Sequence, residues 1–446
     1  MSAKTTKATS GRAGALRVLF AASLAVLIAV PAAAQSFDEL TQARSAVAAT
    51  PTDAAAQLRL GNALIEARDL SGAKSAFEAA LRAKPDWVDA LWGLARIRMA
   101  EGNYEESRNA CRKVISAAGQ TAAAGHVCMG QAYLVWRRSS LAIEEFDKAL
   151  AAEADNAGAN CGIGDAHARA NELDQAIESY RKAIATDANL LEAHLGLATV
   201  LERKGDKAGA IAELETAVSV RVWSADAQYN LGRLLGDNAQ AIEHLAQAVA
   251  IRPSFTDAQL EYGKKLAAAG RWSEALAPLR IAAEQLPNVA LVNETLGIAL
   301  WKNGELAEAE TRLRAALEGV PNSARANEAL GEVLVAGGRI DDGLRFLEMT
   351  ANLETSNYNL AYRIAEVLRG QARNTLATGW LDKAIKIKAD LSKALSMYGD
   401  ILFEQGRYAE SRPYYERALA GDGQGLDRAR VQGRIDQLRS LAPQPQ

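Results

Sequence analysis

Eleven small residues punctuate this chain at near-constant intervals: Gly61, Ala95, Gly130, Gly164, Ala198, Gly232, Gly263, Gly297, Gly331, Ala365 and Gly399. Nine of the ten steps are 34 or 35 residues, and the step from Gly232 to Gly263 is 31. A period of this length denotes one supersecondary unit stacked many times. Each unit must then bury its apolar face against its neighbours rather than in one central core. Such arrays present long surfaces, and the expected occupation is binding rather than chemistry.

Two further small positions follow in every period. The second is held by Ala73, Ser107, Ala142, Ala176, Ala210, Ala241, Ala275, Ala309, Gly343, Ala377 and Ser411. The third is Ala in nine of eleven units, with Val114 and Thr350 as exceptions. Two antiparallel helices approach closely only where no large side chain separates their axes, and neighbouring Leu, Phe and Tyr side chains then fill the flanks. In the stretch 290–323, Asn293, Leu296, Gly297 and Leu300 mark a first helix and Gly304 a turn. Ala309, Leu313 and Ala316 mark a second helix, which Pro321 ends. Helices of about 12 to 14 residues are marginal alone, so stability must come from stacking. An aromatic content of only 6%, alongside abundant Ala, suits that close packing.

The pattern resembles the tetratricopeptide repeat, with its W-x2-L-G-x2-Y, A-x3-F, A and P positions. It is carried by Leu60-Gly61, Ala73, Phe77, Ala80 and Pro85, and again by Tyr262-Gly263, Ala275, Ala282 and Pro287. The resemblance holds in register from about residue 54 to 425. It implies an all-α, right-handed superhelical solenoid of about eleven helix–turn–helix repeats with capping helices at both ends. Repeats 1–6 are expected over 54–255 and repeats 7–11 over 256–425. Phe37 to Ala49, within 35–53, reads as a lone capping helix, with Ala46 and Pro51 in phase. Gly433 lies 34 residues after Gly399 and places a polar capping helix in 426–446, ahead of a disordered Pro/Gln tail. The three residues missing between Gly232 and Ala241 predict a shortened helix end or turn near Asp237-Asn238, a local change of pitch and a hinge between two sub-arrays. Gly343, Thr350 and Thr355 predict looser packing in the unit 324–357.

Residues 1–34 are of another kind. Lys4, Lys7, Arg12 and Arg17 precede an apolar run from Val18 to Val30, followed by Pro31 and Ala32-Ala33-Ala34. This is the pattern of a secretory signal peptide cut before Gln35, and the run falls short of the ~20 residues that span a bilayer. The expected location is periplasmic or secreted, with no membrane span in the mature chain. Cleavage leaves 47 basic against 54 acidic residues, a net charge of −7, which argues against nucleic acid as the main ligand. Cys111, Cys128 and Cys161 allow at most one internal bridge, with three possible pairings. Small buried apolar side chains are the plainer reading of all three.

Helical geometry separates the packed face of each first helix from its free face. The family resemblance implies that the free face lines a concave groove for protein or peptide partners. The positions on it are Trp92, Arg96, Gln131, Leu134, Tyr229, Arg233 and Lys264, then Glu294, Trp301, Glu328, Glu332, Glu366 and Asp400. The first half is apolar with basic flecks and the second is acidic, so the expected ligand has an apolar segment followed by a basic one. The Lys/Asn clamp that some relatives close on a chaperone C-terminus is incomplete here, since Leu58 stands where Lys is needed beside Asn62.

Chemistry is missing from the pattern. His126, His167, His194 and His244 lie in separate units, and no C-x2-C, H-E-x-x-H, G-x-S-x-G or P-loop sequence occurs. Repeats and caps consume the mature chain, so no catalytic residue, metal or cofactor is expected. The reading is an exported scaffold or adaptor for protein partners in assembling a cell-envelope complex. A periplasmic chaperone for unfolded clients, or a docking subunit of a separately encoded enzyme, is the alternative.

Overall fold

The computed structural model describes residues 32–119 and 122–441. The proposed leader, up to residue 31, and the tail 442–446 lie outside the described residues. Among the described residues there are 24 α-helices and no strand. A first helix, Ala32–Ala49, is followed by eleven helix pairs, from Ala54–Glu66 with Leu70–Ala83 to Ser392–Glu404 with Tyr408–Ala420, and by a last helix, Arg428–Leu441. The pairs are numbered 1 to 11 below. The chain divides into two compact units between Lys265 and Leu266, inside the Thr256–Ala268 helix.

Local chemistry starts and stops the helices. Asp53, Asp69, Asn103, Asn156, Asp206, Ser224, Ser323 and Asn357 each accept a backbone N–H of the first turn that would otherwise lack a partner. The turn within a pair closes through a left-handed residue seven positions after the small residue. That residue is Gly102, Gly205, Gly270, Gly304, Gly338 or Gly406 in six pairs, and Arg68, Arg137, Asn171 or Ala372 in four others. In the first pair the Asp69 N–H then reaches back to the Leu64 carbonyl at 2.9 Å, a Schellman closure.

One side chain plugs each pair sixteen residues after its small residue, or thirteen residues after it in pair 6, where Leu245 faces Gly232. Phe77, Phe146 and Tyr180 are almost wholly buried there. Phe77 lies between Gly61 of its own pair and Gly93 of the next, where an added Cβ would come within 2.6 and 2.5 Å of the ring. Gly130 and Gly162 enclose Phe146 in the same way, and Gly164 and Gly196 enclose Tyr180. Leucine plugs the pairs of Ala198 and Ala365, as Leu214 and Leu381, and also glycine pairs such as those of Gly297 and Gly331, as Leu313 and Leu347, whereas each ring plug faces a glycine. In the second pair the plug is Cys111, disulfide-bonded to Cys128 of the third pair, while Cys161 is free and buried. The plain reading of three unbridged apolar side chains is thereby corrected for two of them.

A polar seam runs beside these plugs. Gln57, Gln228, Gln259, Asn293 and Asn327 each donate to the carbonyl six residues earlier, at 2.6 to 3.0 Å, and so pin the link between repeats. His194 holds the same position, contacting the Ala188 carbonyl at 3.1 Å and Glu213 at 2.7 Å. His126 meets Glu145 in the equivalent way at 2.8 Å.

The short period removes the end of one helix. The first helix of pair 6, Ala225–Leu234, has 10 residues where its counterparts have 13. Lys265 covers the shortened end through Asp237 at 2.8 Å. The expectation of loose packing in pair 9 is overturned. An added Cβ on Gly343 would stand 2.6 Å from the Gly331 carbonyl oxygen, so the helices there approach closely enough to exclude even Ala. Thr350 is fully buried and donates to the Phe346 and Ala324 carbonyls.

Candidate functional site

The residues expected on a ligand-facing surface fall into two sets, one in each unit. In the first unit Leu134 is only 3% exposed and packs with Val127 and Phe146, so it belongs to the core and not to an open face. The reason is its place at the helix end, where the next pair covers it; its carbonyl accepts Arg169 Nη1 at 2.5 Å. Trp92 is partly buried against the same cluster, and Gln131 is partly exposed. The Tyr229 ring packs on Phe255 at 4.8 Å, and burial pushes its hydroxyl pKa up. Arg233 makes a two-pronged contact with Glu202 at 2.7 and 2.6 Å, and Lys264 pairs with Glu261 at 2.7 Å.

In the second unit the acidic run is neutralised from within. Glu294 is 9% exposed, accepts from Ser323 at 2.6 Å and lies 3.4 Å from Arg325. Arg363 holds Glu332 at 2.8 and 2.9 Å and Glu366 at 2.6 Å. Asp400 is 6% exposed and is held by Arg430 and Tyr415, each at 2.8 Å, with Arg369 at 3.5 Å. These corrections to an open acidic groove come mostly from the following helix pair or the last helix, as with Ser323 and Arg325 on Glu294, Arg363 on Glu332 and Arg430 on Asp400, while Glu366 is held by Arg363 of its own helix. Glu328 differs, with no ion pair among the described residues. Burial, then the charges of Glu354 and Glu332, raise its pKa, partly offset by Lys302. Trp301 lies beneath Lys302 Nζ, 3.6 Å from the ring centre.

The first unit contains a cavity of about 550 Å³. The Ala32–Ala49 helix packs on the Ala239–Ile251 helix, which brings the first pairs of this unit face to face with its fifth and sixth. Ile65, Arg68 and Arg96 form one wall, and Leu195, Arg221 and Trp223 belong to the other. Of the residues singled out in the sequence only Arg96 lies here. Arg68 was missed, although it carries a readable signal: it is an arginine at a turn position where most pairs have glycine. Trp223 and Arg252 were missed because they sit in links between pairs, where no helical period applies.

No group of three or more His, Cys, Asp or Glu side chains among the described residues is placed to hold a metal ion. None of the described helices is long and apolar enough to cross a membrane.

A family model described as a tetratricopeptide repeat matches residues 29–86, 58–123, 294–355 and 362–425. A second, described as a TPR repeat, matches 164–205, and a third, again a tetratricopeptide repeat, matches 232–294. Together the matches take in well over half of the chain, which belongs to the tetratricopeptide-repeat family, a class of protein-interaction scaffold. No curated protein matches the sequence.

Among solved structures the chain is similar to the APC/C hetero-tetramer Cut9–Hcn1, at 11% identity and a TM-score of 0.39, over 86% of this chain and 96% of that one. It is also similar to MamA (41-end) from Desulfovibrio magneticus RS-1, at 19% identity and a TM-score of 0.34, over 37% of this chain and 96% of that one. A third is YrrB, a TPR protein with an unusual peptide-binding site, at 17% identity and a TM-score of 0.25, over 42% of this chain and 95% of that one.

Proposed function

We propose that this protein is an exported scaffold or adaptor that binds protein partners through the inner faces of its repeats, in assembling a cell-envelope complex. The observation that carries the reading is the unbroken series of helix pairs from Ala54 to Ala420, which leaves no other module among the described residues. Export is supported by the positive, apolar and A-x-A leader of residues 1–34 and by the Cys111–Cys128 bridge, since disulfides persist in oxidising compartments. The location that follows is periplasmic or secreted.

Cell fractionation, N-terminal sequencing and crosslinking of the exported fraction test this reading. The expected mature protein begins at Gln35 and crosslinks to one or two stoichiometric partners. An intact leader on a protein that stays inside the cell would overturn the export. A broad, weak set of unfolded clients would replace the adaptor with a chaperone.

A further inference from the structure

The cavity in the first unit is lined by charge that is only partly paired among the described residues. Four arginines line it (Arg68, Arg96, Arg221 and Arg252) against two acids, Glu192 and Asp226. Arg252 already pairs with Asp226 at 2.6 Å and lies over the Phe255 ring. Arg68 and Arg96, from the first and second pairs, have no ion-pair partner among the described residues. The surplus at this site is therefore positive, in a chain whose overall charge is negative. Beside it stand Trp223, Leu195 and Ile65, an apolar surface suited to an aliphatic side chain.

Arg68 adds an independent sign. Its φ of 60° puts it in the left-handed region, where six other turns of the array use glycine and three use Arg137, Asn171 or Ala372. A side chain there costs about 1 kcal/mol or more relative to glycine. Glycine is nonetheless not obligatory at this turn, and of the two arginines that take the strained conformation Arg68 is the one that lines the cavity. Arg137 shares the conformation but is not part of that lining, which makes it a matched control.

We propose that this cavity docks a short acidic peptide segment of the protein partner, with Arg68 and Arg96 taking its carboxylates and Trp223 an adjacent apolar side chain. The proposal rests on the scaffold reading above and gives the partner a charge opposite to the one the acidic run suggested. A volume of about 550 Å³ admits a few side chains and not a folded domain.

The test is calorimetric titration of the mature protein, at low salt, with a blocked peptide alternating Glu and Leu. The expected result is saturable binding that weakens as salt rises. Arg68→Gly and Arg96→Gln should each weaken it about tenfold or more, the scale of one charge-assisted hydrogen bond. Arg68→Gly installs the usual turn residue and should keep or raise the melting temperature, so its loss of binding cannot be misfolding. Arg137→Gly should bind like wild type. The proposal is overturned if wild type does not bind, if Arg68→Gly binds unchanged, or if a Lys-for-Glu peptide binds equally. Displacement of the peptide by an equal concentration of glutarate would also overturn it, by assigning the site to a small carboxylate. A stoichiometric partner that crosslinks equally to wild type and both variants would remove the cavity proposal and leave the scaffold standing.

Discussion

Cys111 and Cys128 stand where Phe77 and Gly93 stand one pair earlier, so a covalent bond replaces the ring-and-glycine contact that joins neighbouring pairs. Ala95 stands where the first pair has Gly61, whereas the rings of Phe77, Phe146 and Tyr180 each face a glycine at that position. The loop closed by this disulfide spans 17 residues, for which chain entropy gives roughly 3 kcal/mol. Cys111→Ala with Cys128→Ala should lower the urea midpoint accordingly, whereas reductant should not shift the midpoint of that variant further. Equal stability of variant and wild type would refute the structural role.

Gly162 and Phe146 should be energetically coupled. A Cβ on Gly162 would lie 2.2 Å from the Phe146 ring, and overpacking of this kind costs about 1–3 kcal/mol. Phe146→Leu, which copies the leucine plugs of other pairs, should recover most of the loss from Gly162→Ala. A double-mutant cycle reads the coupling, and additive effects would contradict the enclosure.

Asp422 ties the last turn to pair 11. Burial pushes its pKa up, but the Lys388 ammonium at 2.6 Å and the N–H groups of Ser392 and Gln424 outweigh this and hold it at about 2. A carboxylate depressed from 3.8 stabilises the fold fully above pH 4 and loses that contribution as pH falls towards 2. After allowance for solvent screening, Asp422→Asn should cost about 1 kcal/mol near neutrality. Denaturation curves of the two proteins should converge at the acid end of that window; a gap independent of pH would be a contrary result.

Glu328 should behave in the opposite sense. Its raised pKa means that ionisation opposes folding, so the penalty is complete above the folded-state value and fades as pH falls towards 4.5. Glu328→Gln should therefore raise the melting temperature at neutral pH and change little in acid. Destabilisation by this substitution at neutral pH would show that an undetected partner holds the carboxylate.

The 34-residue period made the helix pairs legible, and the three-residue gap after Gly232 foretold the shortened Ala225–Leu234 helix. Backbone regularity repeats with the sequence, so counting finds it. The surfaces were less legible, because whether Glu332 is free depends on Arg363 lying across the seam. Leu134 was misplaced for a related reason: a helical wheel gives its direction but not the neighbour that covers it. The cavity required Arg68 and Trp223, separated by more than four periods, to face each other, and no local pattern encodes that closure.

The matched glycine–ring–glycine contacts around Phe146 and Tyr180 also bear on how such a gene can change length. Unequal recombination that deletes or duplicates one whole period there rejoins halves that already fit, so offspring chains inherit an intact seam. A breakpoint between Cys111 and Cys128 instead strands a thiol in each product. Ancestral gains and losses of repeats are therefore expected to cluster away from that junction, making it a fixed landmark for aligning lineages of unequal length.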